Sequence, residues 1–315
     1  VRDPGAWIES YQTVRESGEQ IPRLFLTGPH LDQPPPAYPQ NSYLVRDGIE
    51  AKEVVNRFAD QGASAIKVYF RLPPEIIEVV CETAHQRGIP VTAHLEATSA
   101  TAAVRAGIDG IEHITSVGID LLPQFEAEQY RQSVLADNNA RRLGRYQVWD
   151  QVDLNSYRVD SLLYLLKAQG TVVSPTLGAF EHQLSTQPLD DQPISTEIDS
   201  LKARAFKQMQ LFTGLVYQAG IPVVVGSHSW VPYQKEVGWA YQREMELLSQ
   251  CGLTNEEIIQ AATLENAKFL RIEQRLGTVE VGKQADLLLL EEDPLQDLGA
   301  FYQISRVMLN GQWVE

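Results

Sequence analysis

Ala65-Ile66-Lys67-Val68, Val91-Thr92-Ala93-His94, Gly110-Ile111-Glu112-His113 and Val225-Gly226-Ser227-His228 share one layout: a short apolar run delivers a basic residue at or near its carboxyl end. The parallel strands of a (β/α)8 barrel open toward one face, so side chains at their carboxyl ends converge there. Lysine and histidine at these ends predict a metal-binding barrel, because imidazole is a common ligand of zinc-like metals.

Outward from these runs, strands and helices alternate. Residues 64–70, 89–95 and 108–114 read as strands, separated by a helix over 73–87 that prolines open and Gly88 closes, and a helix over 98–106 closed by Gly107. Upstream, 23–28 reads as a strand, Pro34-Pro35-Pro36 and Pro39 mark an irregular excursion, and 48–61 reads as a helix. Short strands alternating with helices imply βαβ units and a parallel sheet. The polar segment 120–156 breaks the rhythm and predicts an inserted helical excursion over the active-site face. A helix over 157–169 then leads to a strand over 171–176. A second insertion, 183–196, precedes a long helix ending near Ala219, then a last barrel strand over 221–227 and helices over 236–250 and 254–262.

The tail changes character. After Gly277-Thr278-Val279-Glu280-Val281-Gly282-Lys283-Gln284-Ala285-Asp286 come apolar runs at 287–290 and 304–309, and Asn310-Gly311 turns the chain into Gln312-Trp313-Val314. Asn-Gly between apolar runs is a strong hairpin signal, since both residues tolerate positive φ. So few short strands need partners, which are expected upstream of Val1. The expected organisation is a barrel over 1–270 and the C-terminal strands of a small β-sandwich over 271–315.

Composition narrows the function. The 315 residues exceed the roughly 250 of a single barrel, leaving room for insertions. A net charge of −15 argues against nucleic acid, whose phosphates repel an acidic surface, and favours a small-molecule substrate. Cys81 and Cys251 are far apart and read as buried thiols, suggesting neither a disulfide nor a cysteine zinc site. No apolar run approaches a membrane span, and Val1-Arg2-Asp3 does not start like a signal peptide. The compartment stays open, with the cytoplasm slightly favoured.

Together with Ala65-Ile66-Lys67-Val68-Tyr69, Thr92-Ala93-His94 and Ile111-Glu112-His113, the segments Ser174-Pro175-Thr176-Leu177, Ala261-Ala262-Thr263-Leu264-Glu265-Asn266-Ala267 and Lys283-Gln284-Ala285-Asp286-Leu287 resemble the amidohydrolase superfamily. The resemblance is to its imidazolonepropionase-like and prolidase-like metal-dependent hydrolases. It implies a (β/α)8 TIM barrel whose bridging carbamylated lysine is Lys67 and whose strand-five and strand-six histidines are His94 and His113. It also implies a divalent metal, with zinc the first choice, that makes a hydroxide from bound water.

Two departures from the family stand out. His228 occupies the place of the strand-eight aspartate, and a His-x-His pair is absent, Val1-Arg2-Asp3 resembling the end of the second strand. The first strand and helix are therefore expected to be missing from this chain, with one metal site complete and the other short of ligands. His228 reads as a surrogate base or ligand, or as the mark of a lost activity. Tyr69 and Arg71 read either as binders of a substrate carboxylate or as a packed tyrosine beside a solvated arginine. His30 and His182 are expected on loops near the mouth and His85 on a solvent-facing helix, none of them ligands. The implied function is metal-assisted hydrolysis of C–N bonds (amide, cyclic amide or dipeptide) in a small molecule. The alternative is an inert scaffold with a binding or assembly role. An unpartnered half-sandwich gives a reason to expect a homo-oligomer.

Overall fold

Asp47 shows how this sequence starts a helix: in an extended conformation, it accepts hydrogen bonds from the backbone N–H groups of Ile49 and Glu50, two of the donors every helix leaves unpaired. The helix Gly48–Asp60 then buries Ala51, Val54, Val55 and Phe58, the one-sided spacing of a helix laid on a sheet. The structure, a computed structural model, describes residues 21–185, 196–228 and 239–314 with Thr13 and Glu16, apart from the side chains at 182–185 and 196. The second insertion and the expectation for the His182 side chain therefore fall largely outside the described residues.

Nine strands are assigned among the described residues: β1 His30–Asp32, β2 Ser42–Leu44, β3 Ile66–Val68, β4 Val91–Ala93, β5 Gly110–Glu112, β6 Val172–Ser174, β7 Leu287–Leu290, β8 Ile304–Leu309 and β9 Gln312–Trp313. The first six form a sheet in the order β2-β1-β3-β4-β5-β6. The pairings β1–β2, β1–β3 and β3–β4 are parallel, with Lys67 opposite Thr92 and Val68 opposite Ala93. Helices Pro74–Gln86 and Ala100–Arg105 follow β3 and β4, giving the α/β alternation expected from the sequence. Val68, Val91 and Ala93 are fully buried, as strands covered on both faces should be.

The chain divides into two compact units. One is made of 1–94, 102–110 and 263–315, the other of 95–101 and 111–262. In the first, β7, β8 and β9 form an antiparallel sheet in that order, and Asn310 and Gly311 take φ of 50° and 77°, as the hairpin reading requires. In the second, the excursion after β5 is helical as expected, with Gln124–Ala136 and Arg141–Gln151, and its core includes the fully buried Tyr146 and Trp149. Among the described residues no helix is long and apolar enough to cross a membrane. Both cysteines are free and buried.

Three expectations are corrected. The strand expected over 23–28 is not assigned, although Leu26 accepts from Ser64 N–H at 2.8 Å, and the strand instead starts at His30. The strand expected over 221–227 is reduced to one parallel bridge, Val173 to Val223. Pro222 lacks an N–H and can only accept, from Val173. The motif 261–267, which reads from the sequence as one helix, is split between two, Asn255–Ala262 and Leu264–Phe269, broken at Thr263.

Candidate active site

In the first unit, β3 carries Lys67 and runs into Tyr69, Phe70 and Arg71. Tyr69 donates its N–H to Leu31 O at 2.8 Å, which fixes a buried ring between two histidines. His30 stacks on it at 4.0 Å between centroids and 26° between planes, and His94 meets it edge-on at 4.8 Å. His94 is the first residue after β4, 7% exposed, and its N–H donates to Val68 O.

His30 therefore lies in a strand, not a loop, and its chemistry can be worked out. Ser42 Oγ donates to Tyr38 O at 2.8 Å, so its proton is used and it accepts from His30 Nε2 at 2.7 Å. The imidazole thus carries its proton on Nε2 and a lone pair on Nδ1. Burial, and then the Lys67 charge, lower its pKa to about 4, leaving it neutral at pH 7. Arg71 is corrected as well: it is buried rather than solvated, 9% exposed, with its guanidinium 5.6 Å from the Phe70 ring centre. A buried carboxylate that sequence reading missed, Asp32, accepts backbone N–H bonds from Gln33, Ala37 and Arg71. Burial still pushes its carboxyl up to about 6.

In the second unit, His113 follows β5 with a φ of 65° and 4% exposure. It is held as a ladder: its N–H donates to Ser174 O, the N–H of Ile114 to Pro175 O, both at 2.9 Å, and its Nδ1 lies 2.6 Å from Thr176 Oγ1. The structure brings His113 together with His228, ring centres 5.1 Å apart and planes at 67°. His228 itself is exposed. The approach relies on Gly226, where a Cβ would come within 2.3 Å of Ser174 Oγ. His85 is exposed as expected and pairs with Asp109 at 2.7 Å.

Two buried glutamates in this unit were missed. Glu96, 2% exposed, accepts from Arg145 at 2.7 Å and from the Tyr130 hydroxyl at 2.5 Å. Glu244, 1% exposed, accepts the N–H groups of Leu177 and Gly178 at 2.9 and 2.8 Å. Burial, with the Glu181 charge adding to it, pushes its carboxyl up to about 7 against the pull of those N–H groups. A signal existed: Glu244 shares the buried helix face of Leu247 and Leu248, where a carboxylate needs partners.

The donor set decides what a metal ion would meet. Among the described residues no group of three or more His, Cys, Asp or Glu side chains is placed to hold one. Lys67 could become a ligand only as a carbamate.

A model of the amidohydrolase family matches residues 10–314. The chain is 23% identical over 278 residues to the ochratoxinase of Aspergillus niger, covering 82% of this chain and 47% of that protein. It is 38% identical over 52 residues to the imidazolonepropionase of Picrophilus torridus, 16% of this chain and 13% of that protein. The alignments thus span about half or less of these curated relatives. A solved Xaa-Pro dipeptidase with methionine bound in its active site matches with a TM-score of 0.71 and 22% identity, over 99% of this chain and 73% of that one.

Proposed function

Because the chain belongs to the amidohydrolase family, we propose that it is a metal-dependent hydrolase of amide, cyclic amide or dipeptide bonds in small molecules. The order of the donors carries this reading: Lys67 within β3, His94 directly after β4 and His113 directly after β5. Lys67, as a carbamate, His94 and His113 are the residues that the family resemblance assigns as donors to a divalent ion, which would be zinc by donor type. When bound, such an ion lowers the pKa of water and polarises a carbonyl. The chain's own groups do the rest. His228 takes a proton from the attacking water and returns it to the nitrogen of the breaking C–N bond. Tyr69 and Arg71 orient the substrate, Arg71 as the cation for a carboxylate. The name of the Xaa-Pro dipeptidase that this chain resembles supports a dipeptide among these substrates.

A second reading is favoured by one observation: the place of the strand-eight aspartate is taken by His228. On that reading the chain is an inert scaffold. Elemental analysis combined with turnover of a dipeptide and N-acyl amino acid panel separates the two. The hydrolase reading expects one divalent ion per chain and a loss of about 10²-fold or more in His228→Ala, the range of a general base. Two tightly bound ions per chain overturn the single-site assignment, and turnover unchanged in His228→Ala removes His228 from the reaction. A chain with neither metal nor turnover is the scaffold.

A further inference from the structure

We propose that Glu244 is a positioning residue for His113, acting through the backbone turn that carries Thr176. Four non-glycine residues take positive φ among the described residues, and two of them, His113 at 65° and Thr176 at 50°, are the partners in one 2.6 Å hydrogen bond. For a β-branched threonine this conformation is a true outlier. Such strain persists only where the surroundings over-determine it.

The restraint comes from both sides of Thr176. Before it, Ser174 O and Pro175 O are fixed by the N–H groups of His113 and Ile114. After it, the next two N–H groups, of Leu177 and Gly178, are taken one each by the two oxygens of Glu244. A carboxylate with two acceptor oxygens is the side chain that can hold both. The pair also opens the helix Leu177–Ser185, but a cap alone needs no strained residue ahead of it. With the turn locked, the Thr176 hydroxyl is aimed at Nδ1, and this contact sets the orientation of the His113 ring. What His113 is for rests on the hydrolase reading; that its ring is set by Glu244 does not.

The test uses the full chain with ¹⁵N-labelled histidine and reads the ring nitrogen resonances of His113 at one fixed pH, a readout that needs neither metal nor turnover. Thr176→Val is expected to shift them by removing the hydroxyl, and Thr176→Ser to leave them in place. Glu244→Gln retains one acceptor oxygen and sets an NH₂ against the second backbone N–H, so it is expected to shift them in the direction of Thr176→Val. Glu244→Asp, which keeps the charge and withdraws the oxygens by one methylene, is expected to give an intermediate shift and carries the test if the glutamine variant does not fold. Resonances unchanged in a folded Glu244 variant while Thr176→Val moves them would reduce Glu244 to a helix cap and overturn the proposal. No shift in Thr176→Val would overturn it equally.

Discussion

Glu244 and Asp32 are carboxyls whose folded-state pKa is raised, to about 7 and about 6, with burial the leading cause in each. A raised carboxyl binds its proton more tightly folded than unfolded, so its contribution is fully present below the unfolded pKa near 4 and is lost as pH rises through the folded value. Urea unfolding between pH 4 and pH 7.5 is expected to show this loss, about 3 kcal/mol at most from Glu244, and Glu244→Gln is expected to flatten it. A slope unchanged by the substitution would assign the proton uptake elsewhere. These carboxyls were hard to read because burial of a glutamate depends on what packs over its helix face. The places of Lys67, His94 and His113 in the strand pattern were legible because Lys67 lies within an apolar run and each histidine directly follows one. The Thr176 hydroxyl lay within a recognisable motif, but its aim at His113 depends on a backbone angle that no residue type announces.

Gly214 sits in the helix Thr196–Gln218, where a Cβ would stand 2.8 Å from the Cys251 carbonyl oxygen. Two effects compete in Gly214→Ala. Alanine gains about 1 kcal/mol of helix propensity, whereas overpacking against a backbone atom, which cannot rotate away, costs about 1–3 kcal/mol. The clash is expected to win, lowering the thermal midpoint by a few degrees; a raised midpoint would show that the helix slides to make room. Elements of this kind were largely legible. The helices at 48–60, 74–86 and 157–169 were predicted nearly to the residue because caps, prolines and glycines mark their ends. Strand identity was less so: β2 has only three half-buried residues, and the 221–227 run looks like a strand by composition although Pro222 withholds a ladder donor.

At the scale of the whole molecule, the family and the α/β alternation followed from motif order and periodicity, while the two-unit division did not, since it depends on long-range packing. Net charge was readable at once, and with −15 on the chain no retardation of duplex DNA is expected at 0.1 M salt; a gel shift at micromolar protein would contradict it. The unit assembled from 1–94, 102–110 and 263–315 has a temporal consequence. On a ribosome adding roughly 5–20 residues per second, all of 95–101 and 111–262 has been made before the first residue of 263–315 appears. The second unit therefore has a head start of several seconds, and the 1–94 portion of the first, although synthesised before it, waits for 263–315 before the unit can be completed. Over that interval the nascent chain holds Arg23 without Asp286 and Asn310, its ion-pair and hydrogen-bond partners in the finished protein.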